Sequence, residues 1–296
     1  MATGDVDVDV ETSDLDAVIS GLDNLEVMLP PEPSQAAKIW AATWPKLSAV
    51  AVAVIGWQLI VWSHWKPDYI LPGPWAVGKA FWHGIVDGNL VHATAITMKR
   101  AATGYVASVA LGTLLGIAVA ESKVLRSAIG SLITGLQTMP STAWIPLAVA
   151  LFQLTEGAIF FVIVIGSVPA IANGVISGVD NTPPVLLRAG HVLGAKGLDR
   201  YRHIVLPAAL PGFVAGLKQG WAFAWRSLMA GELIVIIAHR PSLGVTLNQS
   251  RDLNDYPMMI AAMVCVLIIG LVMDSLFFGR LERAVLARRG LLDKSS

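Results

Sequence analysis

The sequence predicts an all-α membrane protein of six transmembrane helices, and three observations carry that expectation. Of 296 residues, 55% are hydrophobic and 14% charged, with a mean hydropathy of +0.64, well beyond an ordinary soluble domain. Residues 47–65, 101–120, 127–155 and 157–179 hold no Asp, Glu, Lys or Arg. Each approaches or exceeds the ~20 residues that span a bilayer as a helix. The apolarity is continuous rather than alternating, which selects helices over a barrel.

In chain order, the first zone is acidic. Residues 1–37 carry nine carboxylates, from Asp5 to Glu32, and no Lys or Arg. Without a positive n-region this is not a signal peptide. A mobile cytoplasmic tail over 1–45 is expected, in which Leu15, Val18, Ile19, Leu22 and Leu25 are spaced for an amphipathic turn or two. The membrane domain then covers 46–296. Its first span, near 47–65, is flanked by Trp40, Trp44, Trp62 and Trp65, with Trp75 and Trp82 following. Tryptophans at segment ends act as interfacial anchors.

The second span, near 101–120, carries Gly112 and Gly116 four residues apart, a spacing that lets helices approach closely. The third, near 127–155, is interrupted by Pro140 and Pro146. Proline removes an internal hydrogen bond, and broken backbone is tolerated in a membrane where it is buried or lines a wet cavity. Gln137, Thr138, Ser141 and Thr142 around this break either face such a cavity or pack plainly. Pro169 and Asn173 in the fourth span, near 157–179, raise the same question. A sixth span is expected near 256–278, with Asp274 as its only charge, and its Cys265 reads as a small apolar packing residue.

The fifth span, near 212–237, is interrupted by Lys218, Arg226 and Glu232. A charge at mid-span costs about 2.5–3.5 kcal/mol even on the lenient insertion scale, so Arg226 should face the bundle interior, a cavity or a partner charge. At 100° per residue Gln219 and Arg226 share a face, with Lys218, Ala222, Trp225, Met229 and Glu232 on a neighbouring stripe. Two readings stand: Arg226 lines a path for an anion, or it forms a structural ion pair with Glu232 of the same or another subunit.

Basic residues set the orientation. Lys123 and Arg126 follow the second span; Arg188, Lys196, Arg200 and Arg202 lie between the fourth and fifth; Arg280, Arg283, Arg288, Arg289 and Lys294 follow the sixth. With six alternating helices these segments share one side, which the positive-inside rule makes cytoplasmic, together with both termini. The formal net charge is zero, which implies no polyanionic or nucleic-acid partner. The six His show no metal-protease spacing, no phosphate-binding G-x-x-x-x-G-K-[ST] loop occurs, and neither a metal nor a catalytic residue is assigned.

The polar island at 180–207 reads DNTPPVLLRAGHVLGAKGLDRYRHIVLP. Nine residues separate Gly194 from Ile204-Val205-Leu206-Pro207. This resembles the signature loop of bacterial ABC-importer permeases: Glu-Ala-Ala, three residues, Gly, nine residues, Ile-x-Leu-Pro. Arg188-Ala189-Gly190 stands where that pattern has Glu-Ala-Ala. From about Tyr69 onward, through ILPGPWAV, AWIPL, Trp225…Glu232 and LFFGRLERAVLARRG, the chain resembles permeases of the nitrate/sulfonate/taurine/bicarbonate group, the aliphatic sulfonate members above all.

The resemblance implies a type I ABC-importer permease fold in a bacterial cytoplasmic membrane. It also implies a homodimer with two cytoplasmic ATPase subunits that hold ATP-Mg, and an extracytoplasmic substrate-binding protein. The permease itself would bind no cofactor. In that family the loop docks on the ATPase, which here implicates Arg188, Ala189, Gly190, His191, Leu193, Gly194, Ala195, Ile204, Leu206 and Pro207. The substrate path would take Arg226, Gln219, Trp225, Glu232, Gln137, Ser141 and Thr142. A small oxyanion suits the forked donors of a guanidinium: an aliphatic sulfonate first, with nitrate, bicarbonate or taurine as alternatives. An ion-gradient-driven transporter is the rival class, and it leaves the Gly-x9-Ile-x-Leu-Pro loop unexplained.

Overall fold

The computed structural model describes residues 34–238 and 240–288. The acidic segment 1–33, His239, Arg289 and Lys294 lie outside the described residues. Two units are distinguished, one ending at Trp57 and the other starting at Gln58. The first holds most of α1 (Gln35–Trp62), whose residues 43–62 form a 20-residue apolar stretch. Helix α1 begins inside the segment assigned to the tail because residues 35–45 are rich in alanine, the best helix former, and carry Lys38 as their one charge.

The second unit runs through α2 (Pro74–Val86), α3 (Asn89–Glu121), α4 (Lys123–Thr138), a 3-10 turn (Ser141–Trp144), α5 (Ile145–Phe152) and α6 (Glu156–Asp180). After α7 (Pro184–Val192), a turn and a π-helical stretch lead through Val205 into α8 (Leu206–Ile234). Then come α9 (Leu243–Asp252), α10 (Tyr256–Val272), a π-helical stretch Met273–Phe278 and α11 (Gly279–Ala287). Among the described residues there is no strand, and four helical stretches are long and apolar enough to cross a membrane: Thr43–Trp62, Asn89–Glu121, Glu156–Asp180 and Tyr256–Ala287. Helix α8 has 29 residues, enough to span, but its three charges dilute its hydropathy.

The expected third span is divided. Met139 is extended (φ −70°, ψ 132°), the conformation that a following proline imposes. Helix α4 therefore stops, and the chain re-enters helix through the 3-10 turn with Pro146 in the first turn of α5. Helix α3 begins at Asn89 rather than near 101, and so takes Lys99 and Arg100 into the span.

Helix α6 occupies the middle, with α8 and α3 as its most extensive neighbours. Backbone approach explains the glycines. A Cβ on Gly174 would strike the Gly216 backbone, and one on Gly212 would lie 2.6 Å from Gly178 Cα. On the other flank a Cβ at Gly112 or Gly116 would lie 2.8 or 2.6 Å from the Cβ of Ile171 or Val175. The Gly112/Gly116 spacing thus serves packing inside the subunit. Small residues let helices gain dispersion contacts where lipid offers no hydrophobic drive. Around this seam lie the buried Ile159, Val162, Ile163, Trp221, Ala224, Leu228 and Phe278. Tyr105 meets Trp221 edge-on at 5.2 Å and donates its hydroxyl to the Leu217 carbonyl at 2.7 Å.

Candidate functional site

The island is built on a helix that is stopped cleanly. Gly194 (φ +82°) takes the left-handed conformation that glycine adopts without penalty. The Ala195 N–H donates to the Gly190 carbonyl at 2.9 Å and the Gly194 N–H to the His191 carbonyl at 3.1 Å, the paired bonds of a Schellman cap. Gly190 is buried against the Ile204 side chain, where a Cβ would collide with Cδ1. The cap and this contact fold Ala195 and Ile204 back beneath α7, both half-buried.

The other face of α7 stands free. Arg188, Ala189 and His191 are exposed, Val192 and Leu193 are 84% and 85% exposed, and Leu206 and Pro207 are exposed where α8 begins. Two ties hold the island to the bundle. Tyr201 donates to Glu121 Oε2 at 2.6 Å, and this carboxylate raises the phenol above its usual range. Arg126 pairs with Asp180 at 2.8 Å. The ends of α3 and α6, the start of α4 and the island therefore form one end of the molecule.

Helix α8 is divided lengthwise. Ala215, Gln219, Ala222, Arg226 and Leu233 fall within an arc of about 60° at 100° per residue. Ala215, Gln219, Arg226 and Leu233 are exposed on the subunit and Ala222 is half-buried. Gln219 and Arg226 thus share a face, as their spacing requires, but it is the outer face of α8 rather than the bundle interior. Arg226 Nε donates to the Ala222 carbonyl at 3.0 Å, and the guanidinium carbon lies 4.7 Å from the Phe223 ring centroid.

Of the two readings of Arg226, the ion pair with Glu232 of the same subunit is not formed, and Glu232 pairs with Arg100 instead. The two α8 residues are about 120° apart around the helix, and Glu232 points inward toward α3. Trp225 is largely buried, stacked on Trp221 at 6.1 Å, and its remaining edge lines an apolar groove with Met229 and Gly270 on a side of α8 away from Gln219. At the α4–α5 break, Gln137 accepts from Asn173 Nδ2 at 2.7 Å and thereby ties α4 to α6. Ser141 is half-buried beside Gly166, and Thr142 is exposed.

Arg100 is the residue that sequence reasoning missed. It is 4% exposed, and Glu232 is 0% exposed. Arg100 Nη1 donates to Glu232 Oε1 at 2.9 Å, while Nε and Nη2 grip Glu156 at 2.8 and 2.7 Å. Thr97 Oγ1 donates to Glu232 Oε2 at 2.9 Å and accepts from the Leu243 N–H at 3.0 Å; the Gly244 N–H donates to Glu232 at 3.1 Å. A carboxylate at the first turn of α9 is also favoured by that helix's dipole. This cluster fastens α3, α6, α8 and α9 at the end opposite the island. The available signal was Arg100 itself, a cation directly abutting an uncharged run.

Residues 109–285 match the family described as "Binding-protein-dependent transport system inner membrane component". A putative ABC transporter permease protein of Methanocaldococcus jannaschii is 34% identical over 77% of this chain and 86% of its own length. A nitrate import permease protein of Synechocystis is 27% identical over 80% and 87%. Relatives at comparable identity are named for riboflavin transport in Chloroflexus aurantiacus (27%) and aliphatic sulfonates transport in Bacillus subtilis (26%). In fold, the chain is similar to a chain of the MetNI methionine ABC transporter in an inward-facing conformation: TM-score 0.55, 20% identity, covering 66% of this chain and 95% of that one. With its all-α architecture, its island between α6 and α8 and these matches, the chain belongs to the inner-membrane permease components of binding-protein-dependent ABC transport systems.

Proposed function

We propose that two copies of this chain form the membrane path of an importer for a small oxyanion, with the outer face of α8 from each copy turned toward that path. The observation that carries this reading is Arg226: a mid-span guanidinium on an exposed helix face, with no ion-pair partner among the described residues. Facing lipid it would cost about 2.5–3.5 kcal/mol or more. Facing a wet seam between two copies it costs less and gains a function. The Ala222 carbonyl and the Phe223 ring hold one edge and one face of the guanidinium, so the remaining N–H groups are available to a planar or pyramidal oxyanion. Ala215 and Ala222 leave room beside it. An aliphatic sulfonate fits best, because its oxygens suit the forked donors while its tail suits Phe223 and Leu233.

The remaining parts follow from the island. Its exposed apolar tip, Val192 and Leu193, docks on a separate cytoplasmic ATPase that holds ATP-Mg, and the opposite end receives an extracytoplasmic binding protein. The island end is the cytoplasmic one, given its excess of Arg and Lys.

The test is ATP-driven uptake of labelled ethanesulfonate, nitrate and bicarbonate by the complex in proteoliposomes. Arg226→Ala should abolish uptake while the complex stays assembled. Arg226→Lys should lose about tenfold or more, because a point charge replaces the fork. Full transport by an intact Arg226→Ala complex refutes the assignment.

A further inference from the structure

On the reading of the island as an ATPase-docking loop, we infer that its partner surface is acidic, a carboxylate in an aliphatic groove, with Arg188 as the residue that selects it. At 100° per residue Val185, Arg188, Ala189 and Val192 share one face of α7, opposite the buried Gly190 and half-buried Leu187. The free face therefore presents a cation between two valines. From Pro183 to Pro207 the chain carries Arg188, Lys196, Arg200 and Arg202 against the single acid Asp199. None of these five forms an ion pair with a described residue, whereas the nearby Arg126 and Asp180 neutralise each other.

A groove of about 470 Å³ beside α7 is lined by Leu187, Arg188, His191, Val192, Ala195 and Arg200. Three of these are apolar, three are basic or titratable, and no carboxylate is among them. A carboxylate entering that groove meets Arg188 and Arg200 while its own stem covers Leu187 and Val192. An acidic first residue in the loop, as in the Glu-Ala-Ala form, would repel the same carboxylate. The sign of the charge at position 188 therefore sorts matched from mismatched ATPases by attraction and by repulsion together.

The experiment uses the full chain in nanodiscs of uncharged phosphatidylcholine, titrated with the purified ATPase that co-purifies with it. Wild-type affinity should fall as salt is raised from 50 to 500 mM, as for any charge-steered contact. Arg188→Glu should bind about tenfold more weakly or worse, since loss and reversal of one charge-assisted contact exceed 1.4 kcal/mol. Arg188→Gln should lose less, with a shallower salt dependence. Thermal unfolding of both variants should match wild type, because Arg188 is exposed.

Leu193→Asp serves as the reference for docking itself. If Leu193→Asp weakens binding and Arg188→Glu does not, the acidic-partner inference is wrong and the docking reading stands. If neither weakens it, the docking reading fails. If Arg188→Glu matters only in discs containing anionic lipid, Arg188 serves the membrane surface and the inference is overturned.

Discussion

Replacing Glu232 with leucine removes an acceptor that Arg100, Thr97 and the Gly244 N–H all use. Breaking a buried ion pair from one side costs about 3–5 kcal/mol. Arg100 keeps its two bonds to Glu156, so Glu232→Leu belongs at the low end, about 3 kcal/mol. Arg100→Leu is worse: it strands a fully buried carboxylate and leaves Glu156, among the described residues, with Arg240 at 3.6 Å as its ion-pair partner, so about 5 kcal/mol is expected. For a chain of this size each kcal/mol moves the unfolding midpoint by about 2–4 °C. The expected drops are then about 6–12 °C for Glu232→Leu and about 10–20 °C for Arg100→Leu. The double variant Arg100→Leu/Glu232→Leu should unfold above Arg100→Leu alone, because it no longer buries an unpaired charge. Tryptophan-fluorescence thermal scans of the purified chain in nanodiscs measure all three. A Glu232→Leu midpoint within about 2 °C of wild type, or a double variant that falls by the full sum, refutes the reasoning.

Three further outcomes are expected. Gly174→Ala should lower the unfolding midpoint by several degrees, about 1–3 kcal/mol of overpacking, because its Cβ meets the Gly216 backbone. Gly135→Ala, with nothing within 4 Å, should match or exceed wild type in the same scan. Removal of residues 1–30 should leave membrane insertion and ATPase co-purification intact, since nine carboxylates with no Lys or Arg among residues 1–37 argue against a packed core there; loss of co-purification would make it a docking element.

Legibility in the sequence followed distance along the chain. The Schellman stop at Gly194 and the extended Met139 before Pro140 are local, set by one or two residues, and were readable. The α8 face shared by Gln219 and Arg226 needed only helical spacing. The partner of Glu232 did not come from α8. It came from Arg100, 132 residues away, and no periodicity within one helix reveals such a pairing. The same charge shifted the expected start of α3: a screen for uncharged runs treats every arginine as a boundary, whereas Arg100 enters the bundle with two carboxylates. Trp225 illustrates the reverse case, for its stripe was readable but what covers it was not.

The glycine seam between α6 and α8 bears on the loop that joins them. Two helices whose backbones already touch at Gly174–Gly216 and Gly178–Gly212 cannot be levered apart by a push on the segment between them. With the island docked as proposed, they would tilt as one stiff oar, the island being its handle. On the proposed docking of the island, a displacement at Val192 would reach the part of α8 that carries Arg226 without being absorbed by sliding at the joint. On that reading the close contact is also the gearing between a step taken at the surface and the swing of the mid-span cation.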